Sequence, residues 1–126
     1  MNQKKAETLK KDFRKAVHRL REALKEKSSK EIVIDGTIQR FEFTFELAWK
    51  VLKAKLEFQG LEALSPRAAI KEAFKARLIK NGSQWIKMLE ARNKTSHLYD
   101  QKKSKLVYLE IKKKYFKILE ELLSVL

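Results

Sequence analysis

The residues best suited to do chemistry gather in one stretch, Arg92-Asn93-Lys94-Thr95-Ser96-His97-Leu98-Tyr99. It holds one of the chain's two histidines, an arginine five residues before it and a tyrosine two residues after it. Arginine offers a permanently charged planar fork that matches a phosphate. Histidine is the side chain whose ordinary pKa lets it both take and give a proton near neutrality. Together they meet the minimum for phosphodiester chemistry without a metal, one group holding phosphoryl oxygens and the other moving the proton. The spacing by itself fits a solvated helix end equally well.

The helical period sets a geometric condition on that chemistry. On an unbroken helix Arg92 and His97 would lie about 140° apart, whereas Asn93 and His97, one turn apart, would share a face. Asn93 is thereby placed to bond His97 and fix its tautomer. For Arg92 to reach the same phosphate, its side chain must curl, or the helix must end near Thr95-Ser96, or a two-fold dimer must bring two motifs to one cleft.

Other chemistries have little to draw on. There is no cysteine, and the three glycines form no phosphate-cradling loop. No spacing of His and carboxylates reads as a metal site, so neither cofactor nor metal is expected. His18 falls in a basic row with Arg14, Arg21 and Lys25, beside the apolar face of its helix, and reads as solvated or as tracking a phosphate backbone. Glu42 and Glu46, four apart and next to Lys50, read as an ion-pair ladder rather than an acid–base pair.

The elements that must position the motif are all helical. Leu9, Phe13, Ala16, Val17, Leu20 and Leu24 predict a one-sided first helix over about residues 6–27. A second helix should begin between Glu31 and Thr37. Its seam is Ile38, Phe41, Phe45, Ala48 and Leu52, and Phe43, Leu47, Trp49 and Val51 add apolar surface beyond it. So apolar a helix belongs at the centre of a bundle or at a subunit interface as well. Gln59-Gly60 should end it, and Ser65-Pro66 should cap and start the third. Asn81-Gly82 should split that third helix before Trp85, Leu89 and the motif. The last helix, about residues 104–125, carries Tyr108, Ile111, Tyr115, Ile118 and Leu122. The expected architecture is an all-α antiparallel up-down four-helix bundle with a split third helix, in a single domain over residues 1–126, forming a homodimer.

Charge points the same way. The chain of 126 residues carries a formal +14, concentrated outside residues 28–57, where five basic and five acidic residues cancel. A neutral inner helix inside a basic exterior suits an anionic partner such as RNA or an acidic protein, or simply a solubilising surface. No run is long and apolar enough to span a membrane, and the N-terminus has no apolar signal region. The expected location is cytoplasmic.

Arg92-x4-His97, with Asn93 after the arginine and Tyr99 two past the histidine, resembles the R-x4-H-x-Y signature of HEPN domains. The similarity extends to residues 36–50 (GTIQRFEFTFELAWK), Ser65-Pro66-Arg67 and Trp85–Asn93. The nearest branch is the HepT-like toxins, also called nucleotidyltransferase substrate-binding proteins. The resemblance implies a metal-independent endoribonuclease of a toxin–antitoxin pair, with paired motifs at a dimer interface. It makes His97 the general acid/base, Arg92 the phosphate ligand and Asn93 the group that orients the histidine, while the RNA 2′-hydroxyl attacks. It also implies a partner minimal nucleotidyltransferase, the antitoxin, which attaches AMP to Tyr99. The alternative is a non-catalytic subunit that binds a substrate or nucleotide for that enzyme. A purely structural bundle accounts for the helices and leaves the motif without a role.

Overall fold

The computed structural model describes residues 3–97 and 100–126, and the described residues are helical with short connections. Helices α1 (Gln3–Lys25), α2 (Glu31–Phe58), α3 (Pro66–Lys75) and α4 (Gly82–Thr95) are followed by one rod made of α5 (Gln101–Glu110), a π-helical turn (Ile111–Tyr115) and α6 (Phe116–Ser124). The chain runs up, down, up through the split pair α3–α4, and down again, as the periodicity predicts.

Helix α2 organises the bundle: it packs against α1, α3, α4, α5 and α6. Its aromatics form the centre. Phe41 and Phe45 are fully buried, the Tyr115 ring stacks on Phe41 at 5.8 Å between centroids, and Phe45 meets Trp85 at 6.2 Å. Such ring contacts add about 0.5–1.5 kcal/mol each beyond the area they bury. Small residues let α1 approach closely. Thr44 and Ala48 are completely buried and Ala16 nearly so; the Thr44 hydroxyl donates to the Arg40 carbonyl at 2.6 Å and lies 3.3 Å from that of Ala16. Arg40 in turn donates to the Arg19 carbonyl at 2.7 Å.

The helix ends follow local chemistry with two departures from the sequence reading, both in the second half of the chain. α2 starts at the early limit of the expected range, with Lys30 as an extended cap that makes no side-chain bond; Gly36 lies inside the helix. Its far end is the predicted glycine stop: Gly60 adopts φ 77°, Leu61 N–H donates to Leu56 C=O and Gly60 N–H to Glu57 C=O, a Schellman closure. Ser65 caps α3 as expected, accepting from Ala68 N–H at 3.1 Å.

The split of the third helix begins earlier than Asn81-Gly82. α3 stops in a second Schellman closure in which Arg77, not glycine, takes the left-handed conformation at φ 62°, with Leu78 N–H bonded to Ala73 C=O. The strain is offset because this turn folds Ile79 into the core. Gly82 then opens α4 against Phe74; a Cβ there would stand 3.0 Å from the Phe74 ring. The last helix starts at Gln101 rather than near Ser104, because Asp100 caps it by accepting from Lys102 N–H at 2.8 Å. Ser104 is buried.

Candidate functional site

The motif occupies the end of α4 and the turn that follows. α4 ends at Thr95 with Ser96 as its C-cap, and His97 N–H closes the turn on the Lys94 carbonyl at 3.0 Å. Of the three conditions under which Arg92 and His97 could serve one phosphate, the described residues meet that of a helix end near Thr95-Ser96. Arg92 sits half-buried in the last helical turn, and His97 is exposed just beyond it. Breaking the helix removes the one-turn register between Asn93 and His97. Both are exposed, and no hydrogen bond joins their side chains among the described residues. Tyr99, the expected modification site, lies outside the described residues, as does Leu98.

What fixes this helix end is a contact the sequence reading did not anticipate. The Thr95 hydroxyl stands 2.7 Å from Glu42 Oε2 and 2.6 Å from the Arg92 carbonyl. With one proton to share, it is a bifurcated donor that ties the last turn of α4 to the middle of α2. Glu42 therefore leaves the ion-pair ladder, in which only Glu46 and Lys50 remain, 3.6 Å apart. The sole sequence hint was a short polar residue just before Ser96-His97, which also reads as ordinary helix-end chemistry.

The charge around the turn is mostly positive. Arg92 and Lys94 occupy the last turn of α4, where cations are favoured by the unpaired carbonyls. Lys102 and Lys103 open α5 on the other side, both exposed. Asp100 is committed to capping and Glu42 to Thr95. The basic row on α1 is partly structural: Arg21 pairs with Glu120 at 2.9 Å and lies over the Phe116 ring at 5.7 Å. Among the described residues no three His, Cys, Asp or Glu side chains group as metal ligands, and no helix is long and apolar enough to cross a membrane.

A bundle of this topology, with Arg92 in the last turn of its third strut, His97 just beyond and lysines on either side, defines a small helical domain with a basic turn at one helix end. Residues 9–126 match the model of the family described as nucleotidyltransferase substrate binding protein like, and the chain belongs to that family. Over 86 residues it is 36% identical to "Probable ribonuclease HepT" of Haemophilus influenzae, a match that covers 64% of this chain and 59% of that protein. A protein of Thermus thermophilus known from its crystal structure superposes with a TM-score of 0.83 at 30% identity, over 90% of this chain and 97% of the other. HI0074 of H. influenzae, whose structure is described as revealing the fold of a substrate binding domain of a nucleotidyltransferase, gives 0.70 at 28% identity over 98% of each.

Proposed function

We propose that the protein is a metal-independent endoribonuclease of a toxin–antitoxin pair, partnered by a minimal nucleotidyltransferase. The observation that carries this is the early end of α4, which leaves Arg92 in its last turn and His97 exposed in the turn beyond, within a basic rim. The similarity to a protein named as a ribonuclease supports the choice of RNA. In this mechanism Arg92 binds the scissile phosphate and stabilises its developing charge. His97 takes the proton of the 2′-hydroxyl as it attacks and returns one to the departing 5′-oxygen. Asn93 is the group that orients the imidazole on the bound substrate.

The active form is a homodimer with both motifs in one cleft. The outer face of α2 supports this reading: Ile32 and Phe43 are 78% and 66% exposed, and Phe43 adjoins Glu42, the anchor of the motif. A two-fold contact there would cover the apolar side chains and face the two turns toward each other. AMP attached to Tyr99 would place a tethered phosphodiester where the RNA phosphate binds, silencing the site.

A second reading has support of its own, from the family description and that of HI0074: a non-catalytic module that binds a substrate for the partner nucleotidyltransferase. Cleavage assays on purified dimer separate the two. Arg92→Ala and His97→Ala should each lower the rate by about 10²–10⁴-fold with melting unchanged. A parent protein that binds RNA or nucleotide and never cleaves it leaves the binding-module reading. Intact-mass measurement after co-expression with an active partner tests the switch: an AMP-sized increment absent from Tyr99→Phe supports it, and an unchanged mass rejects it.

A further inference from the structure

A second basic feature lies further along α2 from the motif. There a cleft of about 500 Å³ is bordered by Lys4, Lys5 and Leu9 of α1 and by Trp49, Lys50 and Lys53 of α2. We propose that this cleft is a binding subsite for single-stranded RNA, stacking a base on Trp49 and holding flanking phosphates with the lysines. The proposal takes its ligand class from the ribonuclease reading and assigns that activity a path for the strand beyond the scissile phosphate.

Three observations support it. First, an indole borders the cleft with its polar atom turned inward. Trp49 is only half-buried, while its Nε1 is shielded from solvent and meets no acceptor among the described residues. Trp49 borders the cleft and packs against the core, so what it can offer a ligand there is carbon surface, of the kind on which a base stacks without regard to sequence.

Second, the cleft is rich in lysine. Four lysines border the cleft, and Lys50 has Glu46 3.6 Å away. The Glu46–Lys50 pair is substantially exposed on both sides, so a phosphate can compete for the ammonium. Lysines on flexible stems suit a backbone that is tracked rather than read.

Third, the placement is continuous with the motif. Trp49 and Lys53 follow Glu42 by seven and eleven residues, close to two and three helical turns, and so share its face of α2 about 10 and 16 Å further along. Glu42 is the residue that holds the end of α4. A strand whose phosphate lies between Arg92 and His97 can therefore continue along α2 to the cleft.

The test uses a His97→Ala dimer, which binds RNA without consuming it, and a labelled single-stranded oligoribonucleotide. Lys50→Ala/Lys53→Ala in that background should bind roughly tenfold more weakly at low salt. Its log K against log salt slope should be shallower by about 1.4, the release expected for two phosphate contacts on a single strand. RNA should quench the fluorescence of the parent through Trp49, since Trp85 is buried, and the lysine variant should lose that quench. Unchanged affinity and slope, with no quench, overturn the subsite while leaving cleavage at the motif intact. A quench by free AMP as strong as that by RNA also overturns it, making the cleft a mononucleotide site. If RNA binds with the predicted slope and quench but wild-type protein never cuts it, the subsite holds and the nuclease reading falls.

Discussion

Thr95→Val removes one hydroxyl and keeps the volume, so it isolates the contact that ends α4. The hydroxyl is shared between Glu42 Oε2 at 2.7 Å and the Arg92 carbonyl at 2.6 Å. A hydrogen bond to a charged group contributes about 1.5–3 kcal/mol when well shielded. Both residues here are half-exposed, and water can replace part of the bond, which brings the expectation to about 1 kcal/mol. For a domain of this size that corresponds to a fall of roughly 3–5 °C in Tm. The kinetic effect should be larger than the thermal one, because the turn that carries His97 hangs from this bond and a 1 Å misplacement can cost about 10²-fold. We expect kcat for RNA cleavage to fall by about 10–100-fold with KM nearly unchanged, and Thr95→Ser to restore both. A double-mutant cycle with Glu42→Gln, read by thermal melting, should give a coupling of at least about 0.5 kcal/mol. Additive effects, or a Thr95→Val protein that melts and cleaves like the parent, would show that the Glu42 contact does not set the site.

Other expectations test the frame. Arg77→Gly should stabilise the protein by about 1 kcal/mol, because glycine adopts the left-handed φ of 62° without the Cβ conflict; denaturant unfolding that shows a loss would refute strain at that turn. Phe45→Ala should cost about 3–5 kcal/mol by emptying the centre of the aromatic cluster, measurable as a lower urea midpoint. Burial raises the Tyr115 phenol above its ordinary 10.0, with Glu110 and Glu90 adding to the shift. The unfolded chain then loses this proton first, so stability is retained below pH 10 and falls as pH rises beyond it. Tyr115→Phe should flatten that alkaline fall relative to the parent in pH-dependent melts, and identical slopes would contradict the assignment.

Much of the architecture was readable because it rests on periodicity. The three- and four-residue steps of Phe13, Val17 and Leu20, and of Phe41, Phe45 and Ala48, place every one of those side chains in the core. The stop at Gly60 and the start at Ser65 were readable because one residue type suits each conformation. Arg77 was not: a left-handed arginine is stabilised by where the following residues go, and its own type does not announce it. The π-helical turn at Ile111–Tyr115 was equally hidden, since heptad steps look alike whether or not one turn is widened; here Ile111 and Tyr115 are both buried, with the Tyr115 ring on Phe41. At the candidate site the residue types of Arg92, Asn93 and His97 were evident, and a helix end near Thr95-Ser96 was one of the three arrangements left open for them. Glu42 escaped because its partner lies 53 residues away, and nothing local distinguishes it from its neighbour Glu46.

The central claim is that the Arg92–His97 turn cleaves RNA by driving its own 2′-hydroxyl onto the phosphate. The most direct measurement is single-turnover cleavage, in EDTA, of an oligoribonucleotide that the protein cuts at a mapped bond, compared with the same strand carrying one 2′-deoxynucleotide on the 5′ side of that bond. The mechanism predicts cleavage of the first to a 2′,3′-cyclic phosphate and none at that bond in the second. Cleavage of the deoxy-substituted bond, or loss of all cleavage in the chelator, would contradict it.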